Sequence, residues 1–164
     1  MGSGSAYVSD TTPAGETVYR ANFLFAANSL VLNEGEEIVV FNGIRSGSGS
    51  IFEIAVRGTS TGLSAVARAR EDDTVTWRET MPTALPMGTA SIGAEIVSAS
   101  STAIADGQVR LFLDGVAQDA ITDVDNFSQI VDTARLGHVF NLGVGSGSIY
   151  LDDFRSFRIT APPR

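Results

Sequence analysis

The chain has 164 residues, of which 43% are hydrophobic and 18% are charged, with 17 glycines and no cysteine. This composition excludes a disordered chain, a collagen-like repeat and a disulfide-stapled miniprotein, and the length predicts one domain. The net charge is −8, and all eleven basic residues are arginine, so we expect neither a nucleic acid partner nor binding to an anionic membrane. No apolar run is long enough to cross a bilayer, which argues against membrane insertion.

Both ends of the chain have linker-like composition. Residues 1–5 alternate glycine and serine after the first methionine, as an added linker does, and residues 161–164 read Ala-Pro-Pro-Arg. Proline cannot continue a strand ladder and is common in extended linkers. We therefore expect a single domain over residues 6–160, excised from a larger protein.

Alternation of apolar and polar residues, which is typical of half-buried strands, begins at Thr17. In residues 17–25 one face carries Tyr19, Ala21, Phe23 and Phe25. Further short strands are predicted at 37–41, 51–57, 63–70, 73–77, 89–98, 108–114, 131–136 and 149–159. No helical periodicity persists for three turns, so the sequence predicts an all-β sandwich.

The Asp114-Gly115 pair stands between two apolar runs. A two-residue type I′ turn needs positive φ at both central positions, which Asp and Gly adopt more readily than most residues. The sequence therefore predicts a tight hairpin at this point.

Four segments of the second half carry a family pattern. They are Asp106-Gly-Gln-Val-Arg-Leu-Phe-Leu-Asp-Gly115, Val124-Asp-Asn126, Ala134-Arg-Leu-Gly137 and Gly147-Ser-Ile-Tyr-Leu-Asp-Asp-Phe154. The pattern resembles the concanavalin-A-like lectin/glucanase jelly rolls and, among them, the laminin-G-like modules of bacterial cell-surface proteins. This resemblance implies two antiparallel sheets of about six strands each, with a carbohydrate site on the concave face or the loop rim. It also implies an extracellular or cell-surface location.

Catalytic motifs of the familiar kinds are missing from the sequence. A glycoside hydrolase needs two carboxylates that flank the scissile bond, whereas the Glu-x-Asp-x-x-Glu strand motif of the glucanase relatives is not found and Glu53 stands alone. His138 is the only histidine and, without cysteine, cannot build a zinc site. We therefore predict a non-catalytic module with no enzyme activity.

Two features are candidates for ligand binding. Trp77 is flanked by polar residues, and a ring that is not needed in the core can stack on a sugar. Asp123, Asp125 and Asn126 cluster oxygen atoms that suit a sugar hydroxyl or Ca²⁺, although the residues by themselves favour a hydrogen-bonded Asx turn. The predicted function is carbohydrate binding in the manner of a lectin.

The alternative function is a structural, self-assembly or adhesion module that contacts neighbouring surface-protein domains. The sequence leaves the oligomeric state open.

The family resemblance also suggests a structural Ca²⁺. In related sandwich modules an Asp of the last strand often helps to hold this ion near the chain start, which makes Asp153 a candidate ligand, together with Asp10 or Glu16. The alternative for Asp153 is a solvated or arginine-paired carboxylate.

Overall fold

The computed structural model describes residues 5–142 and 145–160, which form twelve β-strands. These are β1 (Ala6–Asp10), β2 (Glu16–Ala26), β3 (Glu37–Arg45), β4 (Gly49–Thr59), β5 (Gly62–Arg70), β6 (Trp77–Glu79), β7 (Thr83–Ala84), β8 (Thr89–Val97), β9 (Gly107–Leu113), β10 (Val116–Val124), β11 (Thr133–Leu142) and β12 (Tyr150–Thr160). No helix long and apolar enough to cross a membrane occurs in these two ranges. Residues 1–4 of the expected linker and the expected tail, 161–164, lie outside the described residues.

The strands pair into two antiparallel sheets. The seven-stranded sheet has the order β1-β11-β3-β4-β5-β6, and β7 pairs separately with β5. The five-stranded sheet has the order β10-β9-β8-β2-β12. The prediction of an all-β, two-sheet antiparallel sandwich is confirmed.

The core between the sheets is built around Phe41 of β3. Its ring lies 6.1 Å from that of Tyr19 and 6.5 Å from that of Phe23, both on β2 of the opposite sheet. The rings of Phe52 on β4 and Phe154 on β12 lie at 5.8 and 6.1 Å. Because aromatic rings contribute large buried areas, this cluster holds the two layers together. The aromatic face predicted for residues 17–25 is therefore the buried face of β2.

The β9–β10 hairpin is confirmed. Asp114 has φ 50° and Gly115 has φ 79°, and Leu113 pairs with Val116 on either side of them. Both central residues thus have the left-handed backbone that a type I′ turn requires.

The predicted strand over 73–77 is a turn in its first four residues. The Asp73 carboxylate accepts hydrogen bonds from the backbone N–H groups of Val75 and Thr76, both at 2.8 Å. The Thr76 hydroxyl and these N–H groups hold the pKa of Asp73 below its ordinary value of 3.8. A side chain that satisfies the backbone in this way competes with strand pairing, so β6 begins only at Trp77.

Candidate active site

The seven-stranded sheet has one face on the core and one face turned away from the five-stranded sheet, which we call the outer face. Along β3, β4 and β5 the side chains of Val39, Ala55 and Val66 lie on the outer face, and each has 0% exposure. Register shifts between Val39 and Phe41 and between Leu136 and Phe140 interrupt the ladders here. Such β-bulges bend strands, and the outer side chains at the centre of the sheet screen one another from solvent.

Charged side chains cross the centre of the outer face as an ion lattice of three carboxylates and two guanidinium groups. Arg68 on β5 bonds Glu37 on β3 at 2.8 Å and Glu53 on β4 at 2.6 Å. Arg57 on β4 bonds Glu37 at 2.6 Å and Glu79 on β6 at 2.8 Å. Glu53 and Glu37 are 2% and 3% exposed, and buried carboxylates persist only when they are paired in this way.

Hydrogen bonds from the Arg57 guanidinium to Glu79, and then to Glu37, raise the pKa of Arg57 above its ordinary value despite partial burial. Its N–H groups are therefore committed to the lattice. The third arginine of this region, Arg70, donates to the carbonyl oxygens of Ser48 at 3.0 Å and Ser50 at 3.4 Å, and to that of Thr74.

Arg135 on β11 differs from these three arginines. Its guanidinium carbon lies 4.7 Å from the ring centre of Tyr7 on β1. Within the described part of the chain no carboxylate or hydrogen-bond acceptor engages the guanidinium, and its Nε is buried without a partner. Arg135 can therefore bind an external anion without first breaking an internal ion pair.

Asn42 on β3 is the register neighbour of Arg135. Its side chain is 3% exposed and donates through Nδ2 to the Ser50 hydroxyl at 3.3 Å, while Oδ1 is buried without a partner among the described residues. Tyr7 is 40% exposed. A partly exposed tyrosine, an uncommitted guanidinium and a buried amide oxygen thus lie on neighbouring strands at the β1–β11–β3 end of the outer face.

His138 does not join this group. The register pairs Tyr7 with Gly137 and Ala6 with His138. His138 lies within the register shift between Leu136 and Phe140, and among the described residues no contact between its side chain and Tyr7 or Arg135 is observed.

Trp77 lies at the opposite edge of the same face. It is partly exposed, pairs with Arg70 in the register, and its ring centre lies 5.4 Å from the Arg68 guanidinium carbon. The outer face therefore has Tyr7 on one edge strand and Trp77 on the other, with the ion lattice between them. At about 4.8 Å per strand, the distance from β11 to β6 is about 19 Å, which is enough for several sugar rings.

The other sequence-predicted ligand residues lie at the end of β10 and in the loop that follows it. Asp123, which has φ 61°, and Asp125 are exposed. Asn126 has 0% exposure, its Oδ1 accepts from the Ala99 N–H at 2.8 Å, and its Nδ2 donates to the Val97 carbonyl at 3.3 Å. The loop adjoins the turn before Trp77, because the Asp72 N–H donates to the Asp125 carbonyl at 2.7 Å. Ligand binding by Asp123 and Asp125 stays a prediction.

The three residues predicted to hold Ca²⁺ have protein partners. Asp10 bonds Arg158 at 2.5 Å and accepts from the Thr12 N–H at 2.9 Å. Asp153 is paired with Arg155 at 3.1 Å, and Glu16 is 5% exposed and accepts from the Ala14 N–H at 3.3 Å. The described residues contain no group of three or more histidine or acidic side chains suited to a metal ion. A structural Ca²⁺ stays a prediction.

The sequence matches no family model and no curated protein, whereas solved structures share its fold. An endo-β-1,4-glucuronan lyase from the fungus Trichoderma reesei is similar with a TM-score of 0.62 and 12% identity, over 93% of this chain and 73% of that one. A mutant alginate lyase in complex with an alginate trisaccharide is similar with a TM-score of 0.59 and 17% identity, over 89% and 72%. The botulinum neurotoxin serotype C1 binding domain is similar with a TM-score of 0.54 and 11% identity, over 86% and 33%. At these identities the likeness shows the fold.

These neighbours contradict the expectation of a non-catalytic binding module without enzyme activity. The absence of a sequence motif for two facing carboxylates argues only against hydrolysis of a glycosidic bond. A lyase breaks that bond by elimination and needs no such pair. The lectin and laminin-G-like resemblance stays a prediction.

Proposed function

We propose that the protein is a lyase that cleaves a uronate-containing polysaccharide by β-elimination on the outer face. The observation that carries the proposal is the Arg135–Tyr7 pair, in which an uncommitted guanidinium lies 4.7 Å from an accessible phenol ring. The fold likeness to alginate and glucuronan lyases supports the same chemistry.

Elimination from a uronate requires stabilisation of the negative charge that develops on the sugar carboxylate. The proton on C5 is weakly acidic because the carboxylate beside it is already charged. Arg135 would bind this carboxylate through two N–H groups, which suit the planar fork of a carboxylate. Such preorganised donors act most strongly where charge develops in the transition state.

Proton transfer is assigned to Tyr7. Its oxygen, as the phenolate, would take the C5 proton, and the C5–H electron pair would form the C4=C5 double bond as the C4–O4 bond breaks. The resulting Tyr7 phenol would then give this proton to the departing O4, which restores the phenolate. The products are an unsaturated uronate and a new chain end, so atoms and electrons balance without an oxidant, a reductant or water.

The test is incubation of the purified protein with alginate, polyglucuronate and a neutral glucan, read by the ultraviolet absorbance of the unsaturated uronate. We expect absorbance to rise with at least one uronate polymer and not with the glucan. Tyr7→Phe should lower kcat/KM by about 100-fold or more, since it removes a proton-transfer group. Arg135→Ala should lower it by about 100-fold or more, since it removes the charge that stabilises the transition state.

Matched controls come from the five-stranded sheet. Tyr150→Phe and Arg155→Ala make the same chemical changes at side chains that are largely exposed on β12, and both should keep wild-type activity. Circular dichroism and thermal melting of all four variants separate loss of function from loss of fold. Wild-type activity in folded Arg135→Ala would show that another group binds the carboxylate and would overturn the assignment.

An extracellular or cell-surface location suits an enzyme that meets polysaccharide, and we keep it as a separate proposal. Detection of the native protein in the cytosolic fraction alone would contradict it. A structural Ca²⁺ is likewise a separate proposal. If the ion is present, treatment with a chelator should lower the melting temperature, and an unchanged melting temperature would count against it.

A further inference from the structure

We infer that the substrate is a polysaccharide in which uronates are separated by neutral sugars, rather than a polymer of consecutive uronates. The inference rests on the proposed function and concerns the same outer face. Its basis is the number of cations on that face that are free to bind a carboxylate.

Three of the four arginines of the described outer face have their terminal guanidinium nitrogens engaged by protein acceptors. Arg57 and Arg68 are bonded to Glu37, Glu53 and Glu79 at 2.6 to 2.8 Å. Arg70 donates through both terminal nitrogens to backbone carbonyls, while its Nε is buried without a partner among the described residues. In this set only the terminal nitrogens of Arg135 lack such partners, so the face has one place for a uronate.

The stretch between Arg135 and Trp77 has no excess of positive charge. Arg57, Arg68 and Arg70 are offset by the carboxylates of Glu37, Glu53 and Glu79. A uronate bound there would lose hydration and meet carboxylates without gaining an ion pair, and an unpaired charge at a partly buried surface is costly.

A neutral sugar ring suits this stretch better. Trp77 at its end offers a partly exposed ring, and aromatic rings pack against the C–H groups of a sugar without a charge requirement. The carboxylate oxygens of the lattice can accept hydrogen bonds from sugar hydroxyls while they remain paired with arginine. The substrate class is thus a heteropolysaccharide with one uronate for each stretch of neutral sugars.

The first experiment compares kcat/KM for two kinds of polymer with the same ultraviolet assay. Deacylated gellan, in which single glucuronates stand between neutral sugars, represents the spaced class, and alginate and polyglucuronate represent consecutive uronates. We expect kcat/KM to be higher on gellan by about tenfold or more, the size of effect that one unfavourable charge contact produces. Equal or higher kcat/KM on the consecutive uronates would overturn the substrate class and leave the lyase assignment standing. Absence of an unsaturated product from all three polymers would overturn both.

The second experiment seeks a gain of activity that misfolding cannot mimic. Glu79→Gln keeps an oxygen acceptor for Arg57 but removes one negative charge from the least buried carboxylate of the lattice, which is 29% exposed. The freed positive charge should raise kcat/KM on alginate relative to gellan by about three- to tenfold. Glu95→Gln on β8, in the five-stranded sheet, makes the same change elsewhere and should leave the ratio unaltered. An unchanged ratio in folded Glu79→Gln, or an equal change in Glu95→Gln, would refute the charge-balance argument.

Discussion

Replacement of Arg68 by methionine tests the stability of the ion lattice. Methionine keeps most of the apolar stem of arginine but removes the charge that holds two buried carboxylates. In the variant Glu53, 2% exposed, loses its 2.6 Å ion pair, and Glu37, 3% exposed, keeps only Arg57. Removal of one member of a buried ion pair costs about 3–5 kcal/mol, because the remaining charge is left without compensation.

For a domain of this length a loss of 1 kcal/mol lowers Tm by roughly 2–4 °C, so Arg68→Met should melt about 6–20 °C below the wild type. The assay is thermal melting followed by circular dichroism, with urea unfolding to obtain the free energy. Arg155→Met is the matched control, because its ion pair with Asp153 joins side chains that are 74% and 50% exposed. Exposed pairs contribute about 0–1 kcal/mol.

A double variant distinguishes the effect of the unpaired charge from the effect of the changed side-chain shape. If uncompensated charge is the cause, Glu53→Gln added to Arg68→Met should recover part of the lost free energy. A Tm loss no greater than that of Arg155→Met, or a double variant that is destabilised additively, would refute the account of the lattice.

Three further predictions concern the loops. Asn126→Ala should lower the free energy of unfolding by about 1–3 kcal/mol, because it leaves buried backbone groups unpaired. Asp125→Ala, at an exposed position, should change it by about 0.5 kcal/mol or less. Equal losses in urea unfolding would contradict a structural role for the Asn126 side chain. Gly107→Ala would place a Cβ 1.8 Å from Asn126 Oδ1, so Tm should fall at least as far as in Asn126→Ala, and an unchanged Tm would disprove this contact. Backbone and hydroxyl hydrogen bonds from Ser100 lower the pKa of Asp106 below 3.8. The ionised Asp106 carboxylate therefore stabilises the folded protein fully above that pH, and this contribution is lost as the pH falls through the folded-state pKa. The Tm difference between wild type and Asp106→Asn should shrink on acidification, and a constant difference would count against the linkage.

Most of the sandwich follows from local sequence signals. Period-two alternation located β2, and the Asp114-Gly115 pair located the β9–β10 hairpin, because both signals depend on neighbours in the chain. The hairpin implied a strand after Gly115, but the extent of β10 was not predicted, since its mostly exposed side chains weaken the alternation. β1 was missed as well: four of its five residues are exposed, and it is held mainly by pairing with β11.

The candidate site could not be predicted from local sequence signals. Glu53 stands alone in the sequence, yet the register places it beside Asn42 on one side and Arg68 on the other. Strand order and register decide these contacts, and neither is encoded by local periodicity. One signal was nevertheless present: single charged residues interrupt central strands that are otherwise apolar or small. Such residues are buried with partners or serve a function.

Tyr7 and Arg135 are far apart in the chain and have no local motif. Their contact depends on antiparallel pairing of β1 with β11, in which Ser9 faces Arg135 and Tyr7 faces Gly137. Polar neighbours flank Trp77 in the sequence, and its side chain is partly exposed in the structure. Its place on the same face as Arg68 required the structure.

The most direct test of the proposed chemistry is proton NMR of the products formed from a uronate-containing polysaccharide. Elimination through Tyr7 and Arg135 predicts an olefinic H4 signal on a new non-reducing end, in amounts equal to the new reducing ends, and loss of this signal in Tyr7→Phe. New reducing ends without an olefinic signal would show hydrolysis, and an olefinic product formed equally well by Tyr7→Phe would contradict the proposed site.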